Sequence, residues 1–315
     1  YGADYYPTGL IYGKVLRSPH AHANIKSIDT SKAEKLPGVF ATVTGKDLPD
    51  AKDDEALRYS RNNILASDKA LYKGHAIAAV AAVNIHVAEE AASLIDVEYE
   101  VLKPVLTVQQ AMPGTAPLLH PNLVTEEMGE KTTTRSNIAN HYQHKLGDIE
   151  AGFEDAHFIV EREFSTETVH QGYIEPHNST AFWNSDGKLN IWCSTQGAFN
   201  VRDSVASVLG IQVSDIKVTP LEIGGGFGGK IPSYLDSVTA LLSKKSNRPV
   251  KIVMTRQEVF ECTGPTSGCL IKVKIGATKE GKITAGKAYL AFEAGAFPGS
   301  PIEAACECVF AAYSV

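Results

Sequence analysis

A glycine-rich loop constrains this chain more than any other feature. Residues Gly224 to Lys230 have the sequence GGGFGGK, with five glycines in seven residues. Ordering so many glycines costs conformational entropy, so the folded backbone must need positive φ angles or a close approach to another group. The apolar residues 216–223 before the loop predict a strand. A helix is predicted after it, with Pro232 near its start and a capping box over residues 233–236. This order aims backbone N–H groups at an anion or an oxo group.

Two other interpretations of the loop stay open at this point. The spacing from Gly224 to Gly229-Lys230 is that of a P-loop, which would make the chain a nucleotide-binding enzyme. A P-loop needs Ser or Thr after the lysine to bind magnesium, and Ile231 stands there. The second alternative is a tight structural turn, although Phe227, flanked by glycines, is an awkward residue for a mere turn.

The composition excludes several classes of function. With 36 acidic and 30 basic residues the net charge is −6, and no basic face for a nucleic acid is visible. The richest apolar run, residues 76–83, is far shorter than the ~20 residues of a membrane span. Five cysteines, an odd number without a signal segment, predict a reducing, cytoplasmic compartment. Cys306 and Cys308 are too close for the usual zinc or iron–sulfur spacings, so we predict no metal ligand.

Local patterns predict a mixed α/β (α+β) chain with two domains. Strands and helices alternate over residues 1–115, a polar connection follows over residues 116–136, and a second domain covers residues 137–315. The chain begins at Tyr1 without a methionine and ends on apolar residues. We therefore expect it to be a piece of a larger chain or one part of an assembly.

Three signals in the second domain are specific enough to predict element ends. A helix over residues 198–209 should end at Gly210. The pair Asp186-Gly187 predicts the turn of a hairpin, and Glu280-Gly281 predicts the turn of another.

The glycine loop resembles the signature of the molybdenum hydroxylases, the xanthine dehydrogenase and aldehyde oxidase family, and in particular of their molybdopterin-binding large subunit. Further segments resemble that subunit in order and spacing: RSPHA (17–21), VEYE (97–100), YIEPH (173–177), STQ (194–196) and NRPVK (247–251). The resemblance covers essentially the whole chain. It implies an α/β-hammerhead domain over residues 1–115 and a truncated first molybdopterin-binding domain over residues 137–315. Segments 264–268 and 295–301 look closer to the carbon monoxide dehydrogenase-like branch.

The resemblance also implies which residues bind the cofactor. Gln196 matches the glutamine that hydrogen-bonds an oxo ligand of molybdenum. Gly226, Phe227 and Gly228 match the loop whose backbone amides face the metal and the pterin. No catalytic residue is predicted in this chain, because the family's general base lies in a second molybdopterin domain.

The activity that the resemblance implies is hydroxylation or oxidation of an aldehyde, an N-heterocycle, an aromatic or a small carbon substrate, with water as the oxygen source. The expected cofactor is molybdopterin in its cytosine dinucleotide form. Electrons would leave through the pterin to [2Fe–2S] clusters and FAD on other subunits or domains of a hetero-oligomer.

Residues near the predicted site indicate which substrates are disfavoured and which side chains have structural roles. Ile231 occupies the position at which purine-oxidising members carry a glutamate, so it is assigned to the substrate pocket and purine oxidation is disfavoured. Glu175 is expected to orient the glycine loop. His170 and His177 are expected to have structural roles.

Overall fold

A computed structural model describes residues 1–51 and 54–313. The elements of the first third are β1 (Ile11–Arg17), β2 (Ala23–Asp29), α1 (Ser31–Glu34), β3 (Val39–Thr44), α2 (Glu55–Ile64), β4 (Lys69–Ala70), β5 (Ala76–Ala82), α3 (Ile85–Ser93) and β6 (Asp96–Val101).

The elements that follow are α4 (Val108–Ala111), β7 (Val124–Glu127), β8 (Glu130–Arg135), β9 (Asn140–His141), α5 (Ile149–Glu154), β10 (Phe158–Thr166), β11 (Asn178–Trp183), β12 (Leu189–Cys193), α6 (Ala198–Leu209), β13 (Ile216–Pro220), α7 (Asp236–Ser246), β14 (Val250–Val253), α8 (Arg256–Cys262), β15 (Cys269–Ala277), β16 (Ile283–Phe292) and α9 (Ile302–Cys308). The prediction of a mixed α/β chain is confirmed.

The chain divides into two compact units. The first unit comprises the described part of residues 1–102 together with residues 170–264, and the second comprises residues 103–169 and the described residues from 265 onward. The first unit contains a seven-stranded mixed sheet in the order β13-β12-β11-β14-β1-β5-β3 and a small sheet β4-β2-β6. Strand β1 pairs in parallel with β14, with Ile11 opposite Val250. Strands from both predicted domains therefore share one sheet, and the domain boundaries stay a prediction.

Helix α7 packs over the middle of the seven-stranded sheet, against β11, β3 and β14. Strand β5 is buried over its whole length and consists of alanines apart from Ile77 and Val80. Such small side chains let α3 and α7 lie close to this strand at the packing density of a protein interior. The sheet thus forms a rigid base from which the loops at its edge project.

The second unit contains the antiparallel sheet β10-β15-β16 and the smaller sheet β8-β7-β9. Helices α5 and α9 pack against β16. Gly281 has a φ of 87° in the turn between β15 and β16, which confirms the hairpin predicted there. Strands β7 and β8 lie inside the predicted connection. Their sequences, VTEE and EKTTTR, lack the apolar alternation that predicts strands.

The predicted end of α6 and the hairpin of β11 and β12 are confirmed. Gly210 ends α6 in the left-handed region at a φ of 65°, and Gly187 turns the hairpin at a φ of 83°. Glycine adopts these angles without the steric cost that a Cβ brings.

The predicted start of the helix after the glycine loop is wrong. Helix α7 begins at Asp236, and no side chain caps it. The hydroxyl of Ser233 donates to the Asp236 carboxylate at 2.7 Å, and Ser179 donates to the same carboxylate at 2.7 Å. Leu235, and not Ser233, stands at the N-cap, so the predicted capping box does not form. Burial raises the pKa of Asp236, and the hydroxyl donors oppose that rise.

Among the residues that the structure describes, no helix is both long enough and apolar enough to cross a membrane.

Candidate functional site

Sheet topology brings Gln196 and the glycine loop together. Strands β12 and β13 are parallel neighbours, with Cys193 opposite Pro220 at their carboxyl ends. The chain leaves both strands at the same edge of the sheet. Gln196 follows three residues after β12, and the loop begins four residues after β13. Residues distant in sequence therefore meet at one edge.

The side-chain oxygen of Gln196 is held by the backbone of the loop. Gly228 donates its N–H to Gln196 Oε1 at 2.9 Å, and Lys230 donates its N–H to the same atom at 3.2 Å. The backbone N–H of Gln196 donates to the carbonyl of Lys230 at 3.0 Å. Two N–H donors fix which end of the carboxamide is the oxygen. Among the described residues, the amide Nε2 group of Gln196 has no hydrogen-bond acceptor, whereas Oε1 has two donors.

The backbone of the loop has the positive φ angles that its glycines predict. Gly225 and Gly228 have φ angles of 90° and 88°, and Phe227 has a φ of 50° although it carries a side chain. A Cβ on Gly226 would lie 2.5 Å from Gln196 Oε1, closer than any real contact. Within the described part of the chain, no atom lies within 4 Å of a Cβ built on Gly228. The loop is therefore packed tightly against Gln196 at Gly226 and open at Gly228.

The last residue of the loop forms a buried ion pair. Lys230 Nζ donates to Glu175 Oε2 at 2.6 Å, and the two side chains are 0% and 9% exposed. The same carboxylate oxygen accepts the N–H of Gly224 at 2.8 Å. Glu175 thus contacts both ends of the loop, which confirms the expectation that it orients the loop. Burial lowers the pKa of Lys230, and the Glu175 carboxylate opposes that change.

This geometry excludes the P-loop interpretation. A P-loop lysine extends toward the phosphates of a nucleotide. Here the Lys230 ammonium points into the protein, where it pairs with Glu175 and lies 5.0 Å from the centre of the Tyr173 ring. The N–H groups of Gly228 and Lys230 already donate to Gln196. The alternative of a P-loop-like nucleotide-binding enzyme that uses Gly224 to Lys230 is therefore not supported.

A buried polar cluster supports the segment that carries Glu175. Tyr173 Oη and His177 Nε2 are 2.6 Å apart, and Thr263 Oγ1 lies 3.2 Å from Tyr173 Oη and 2.8 Å from His170 Nε2. Burial lowers the pKa of His177 to about 3, so its ring is neutral near pH 7. Both histidines hold neighbouring side chains, in agreement with the structural roles expected for them.

Several residues of the site were missed by sequence reasoning. Asn178 donates to Glu175 Oε1 at 3.1 Å, and Thr195 Oγ1 donates to the carbonyl of Lys230 at 3.2 Å. Arg256 donates to the backbone carbonyls of Tyr173 and Ile174. Asn178 directly follows the motif YIEPH, and Thr195 lies inside the motif STQ, in which only Gln196 was given a role. Arg256 carries no local signal, because its partners lie far away in the sequence.

Large apolar side chains in the loop and close to the site residues in sequence are exposed. Phe227 and Ile231 are 73% and 45% exposed, and Phe199, in the first turn of α6, is 70% exposed. The charge of Lys230 is buried against Glu175. Apolar side chains are therefore exposed in and beside the loop, while its one charged side chain is covered. In residues 1–51 and 54–313, no three His, Cys, Asp or Glu side chains cluster as metal ligands.

Comparisons with protein families give two matches along the chain. The profile described as "Aldehyde oxidase and xanthine dehydrogenase, a/b hammerhead domain" matches residues 1–103. The profile described as "Molybdopterin cofactor-binding domain" matches residues 131–315, more than half of the chain.

Individual proteins agree with these profiles. The chain is 35% identical to "Probable hypoxanthine oxidase XdhD" of Escherichia coli (strain K12), over 87% of this chain and 32% of that protein. It is 30% identical to "Nicotinate dehydrogenase large molybdopterin subunit" of Eubacterium barkeri, over 94% of this chain and 67% of that one. The solved CO dehydrogenase from Oligotropha carboxidovorans superposes with a TM-score of 0.79 at 31% identity, over 93% of this chain and 38% of that one. The chain thus spans about a third of XdhD and of the CO dehydrogenase chain.

Proposed function

Because this chain belongs to the family of aldehyde oxidases and xanthine dehydrogenases, we propose that it forms part of the molybdopterin-binding subunit of an oxidoreductase. In this proposal the enzyme hydroxylates or oxidises a carbon centre and takes the oxygen atom from water. Residues 1–115 form the hammerhead domain, residues 116–136 a linker, and residues 137–315 belong to the first molybdopterin-binding domain.

The orientation of the Gln196 carboxamide carries this proposal. With Oε1 occupied by Gly228 and Lys230, the Nε2 group is free to donate to an electronegative ligand. A neutral amide donor suits an oxo ligand, because it stabilises partial negative charge without adding a full positive one. The neighbouring ammonium of Lys230 is already neutralised by Glu175.

The loop also fits a bulky cofactor. Gly228 has open space on its Cβ side, and the exposed Phe227 beside it offers an apolar surface. Gly226 brings the backbone against Gln196 without a side chain between them. We assign Gln196, Gly226, Phe227 and Gly228 as the residues that hold the molybdenum cofactor. When bound, that cofactor supplies the redox centre that accepts electrons from the substrate.

The role of the chain's own residues is binding and orientation. Gln196 donates a hydrogen bond to a ligand of the metal and so fixes the ligand's direction. We assign Ile231 to the substrate pocket, where an apolar side chain selects a neutral substrate: an aldehyde, an N-heterocycle, an aromatic or a small carbon compound.

The remaining components of the enzyme follow from the same proposal. Electrons leave to [2Fe–2S] clusters and FAD on other subunits or domains, which makes the assembly a hetero-oligomer in the cytoplasm. The pterin is in its cytosine dinucleotide form. One relative is named a large molybdopterin subunit, which supports such an arrangement.

Labelled water tests the proposed reaction. The purified enzyme is incubated in isotopically labelled water with an electron acceptor and one aldehyde, N-heterocycle, aromatic acid or carbon monoxide at a time. Mass spectrometry should find the label in the product of at least one class. Oxidation with an unlabelled product oxygen contradicts the proposal.

A further inference from the structure

We propose that Glu175 and Lys230 are positioning residues that set the orientation of the Gln196 carboxamide. This inference rests on the proposed function, since the orientation matters because Gln196 faces a ligand. It assigns a purpose to a buried ion pair that touches neither the proposed cofactor surface nor a substrate.

Burying the Glu175–Lys230 ion pair costs free energy unless both charged groups form good hydrogen bonds. The Lys230 side chain is completely covered and its ammonium lies beside the Tyr173 ring. Two desolvated charges are stabilised only where the geometry is good and further hydrogen bonds satisfy both groups. Glu175 meets this condition, because Oε2 accepts from Lys230 and Gly224 while Oε1 accepts from Asn178.

The pair fixes both ends of the glycine loop. Glu175 receives the backbone N–H of Gly224 at the first residue and the side chain of Lys230 at the last. The segment before Glu175 is held in turn by Arg256, which donates to the carbonyl of Tyr173. A loop with this glycine content has many accessible conformations, so anchoring its two ends removes much of that freedom.

The Glu175–Lys230 ion pair acts on Gln196 through the backbone of Lys230. The N–H of Lys230 donates to Gln196 Oε1, and its carbonyl accepts from the N–H of Gln196 and from Thr195 Oγ1. If the side chain of Lys230 lost its partner, its backbone would shift and these bonds would weaken. The carboxamide could then rotate and present its oxygen, an acceptor, where the donor Nε2 is needed.

Three variants of the full enzyme separate positioning from a general contribution to folding. Lys230→Met removes the ammonium and keeps the backbone N–H. Glu175→Gln removes the carboxylate charge and keeps its shape. The double variant Glu175→Gln/Lys230→Met removes both charges and leaves neither buried unpaired. Lys188→Met is the matched control, since Lys188 forms an exposed ion pair with Asp215 in the same unit.

The main readout is hydrogen exchange at the amides of Gly228 and Lys230, measured by mass spectrometry on cofactor-free protein. We expect exchange to speed up by about tenfold or more in all three pair variants, because the amides lose a fixed acceptor. It should stay at the wild-type rate in the control. In the loaded enzyme we expect kcat to fall more than KM rises, and the electron paramagnetic resonance spectrum of the reduced enzyme to change.

If the single variants fold poorly, the double variant decides whether the ion pair positions Gln196 or only balances buried charge. Restored thermal stability with fast loop exchange supports positioning. Wild-type loop exchange together with restored stability would show that the pair only balances charge, and would overturn the inference. If the wild-type protein holds no molybdenum, the proposed function fails, while the exchange experiment still decides the role of the pair because it needs no cofactor.

Discussion

The side-chain oxygen of Gln196 lies 2.9 Å from the backbone nitrogen of Gly228 and accepts its hydrogen. This contact joins the end of β12 to the glycine loop and determines what Gln196 offers to a ligand. A glutamine with its oxygen occupied is a donor. The proposed binding of the cofactor at this site requires that Gln196 present its Nε2 donor, and not its oxygen, to the ligand.

Replacing Gln196 by Ala should reduce activity far more than stability. The variant removes the proposed donor and the acceptor of two loop N–H groups, while the strand before it stays intact. We expect kcat/KM of the intact enzyme to fall by about tenfold to a hundredfold. The thermal midpoint should shift by no more than a few degrees, as checked by calorimetry. Gln212→Ala, at an exposed position, is the control, and wild-type turnover in Gln196→Ala would remove Gln196 from the site.

A methyl group at Gly226 should interfere with cofactor loading. In Gly226→Ala the new Cβ would lie 2.5 Å from Gln196 Oε1, so the loop or the carboxamide must move. We expect the molybdenum content of the purified protein to fall severalfold, and further in Gly226→Val. In the control, Gly114→Ala, the Cβ meets no described atom within 4 Å. Full molybdenum content in both Gly226 variants would contradict the tight packing described for Gly226.

Removing Arg61 should destabilise the first unit. Its buried guanidinium donates to the carbonyls of Val208 and Ser207 at the end of α6, at 2.8 and 3.2 Å, and to that of Asp50 at 2.7 Å. Arg61→Ala leaves these carbonyls without their charged donor, at an expected cost of about 3 kcal/mol in the free energy of unfolding. Denaturant titration measures this. Arg58→Ala, at a half-exposed position on the same helix, should cost less than about 1 kcal/mol; equal costs would refute the role given to Arg61.

Acid should destabilise the fold through two buried histidines. Burial lowers the pKa of His177 from 6.5 to about 3 and that of His75 to about 4. Below pH 6.5 these two histidines bind protons in the unfolded chain, whereas burial keeps them neutral in the folded chain. The stabilising contribution is therefore complete above that pH, and it is lost as the pH falls toward about 4 for His75 and about 3 for His177. The slope should be about 1.4 kcal/mol per pH unit for each histidine.

A variant pair tests which histidine causes this slope. Urea titrations between about pH 7 and pH 5 should give a shallower decline for His177→Gln than for the wild type, because one titrating group is gone. His141→Gln, whose ring is 62% exposed, should keep the wild-type slope. The same decline in His177→Gln as in the wild type would show that His177 is not the group responsible.

Local sequence signals predicted the parts of the site that depend on backbone conformation. Gly225 and Gly228 in the loop, Gly210 after α6 and Gly187 in the hairpin adopt positive φ angles because few other residues can. Glu175 was predicted to orient the loop from its place in a recognised motif, and its contacts with Gly224 and Lys230 confirm this.

The rest of the arrangement is set by contacts between distant residues. The pairing of Ile11 with Val250 joins strands from both predicted domains, and no local pattern encodes it. The Asp236 carboxylate at the start of α7 accepts from Ser179, on β11, as well as from Ser233, a long-range contact that the local capping-box pattern does not contain. The polarity of Gln196 depends on two loop N–H groups that reach it through the parallel pairing of β12 and β13. Short-range propensities do not contain this information.

Cofactor content of the purified intact enzyme that contains this chain tests the central claim most directly. Metal analysis by mass spectrometry is combined with fluorescence of the oxidised pterin released on denaturation. We expect about one molybdenum atom and about one pterin for each copy of the chain. A folded, homogeneous protein that contains neither, when produced in a host that makes the cofactor, would contradict it.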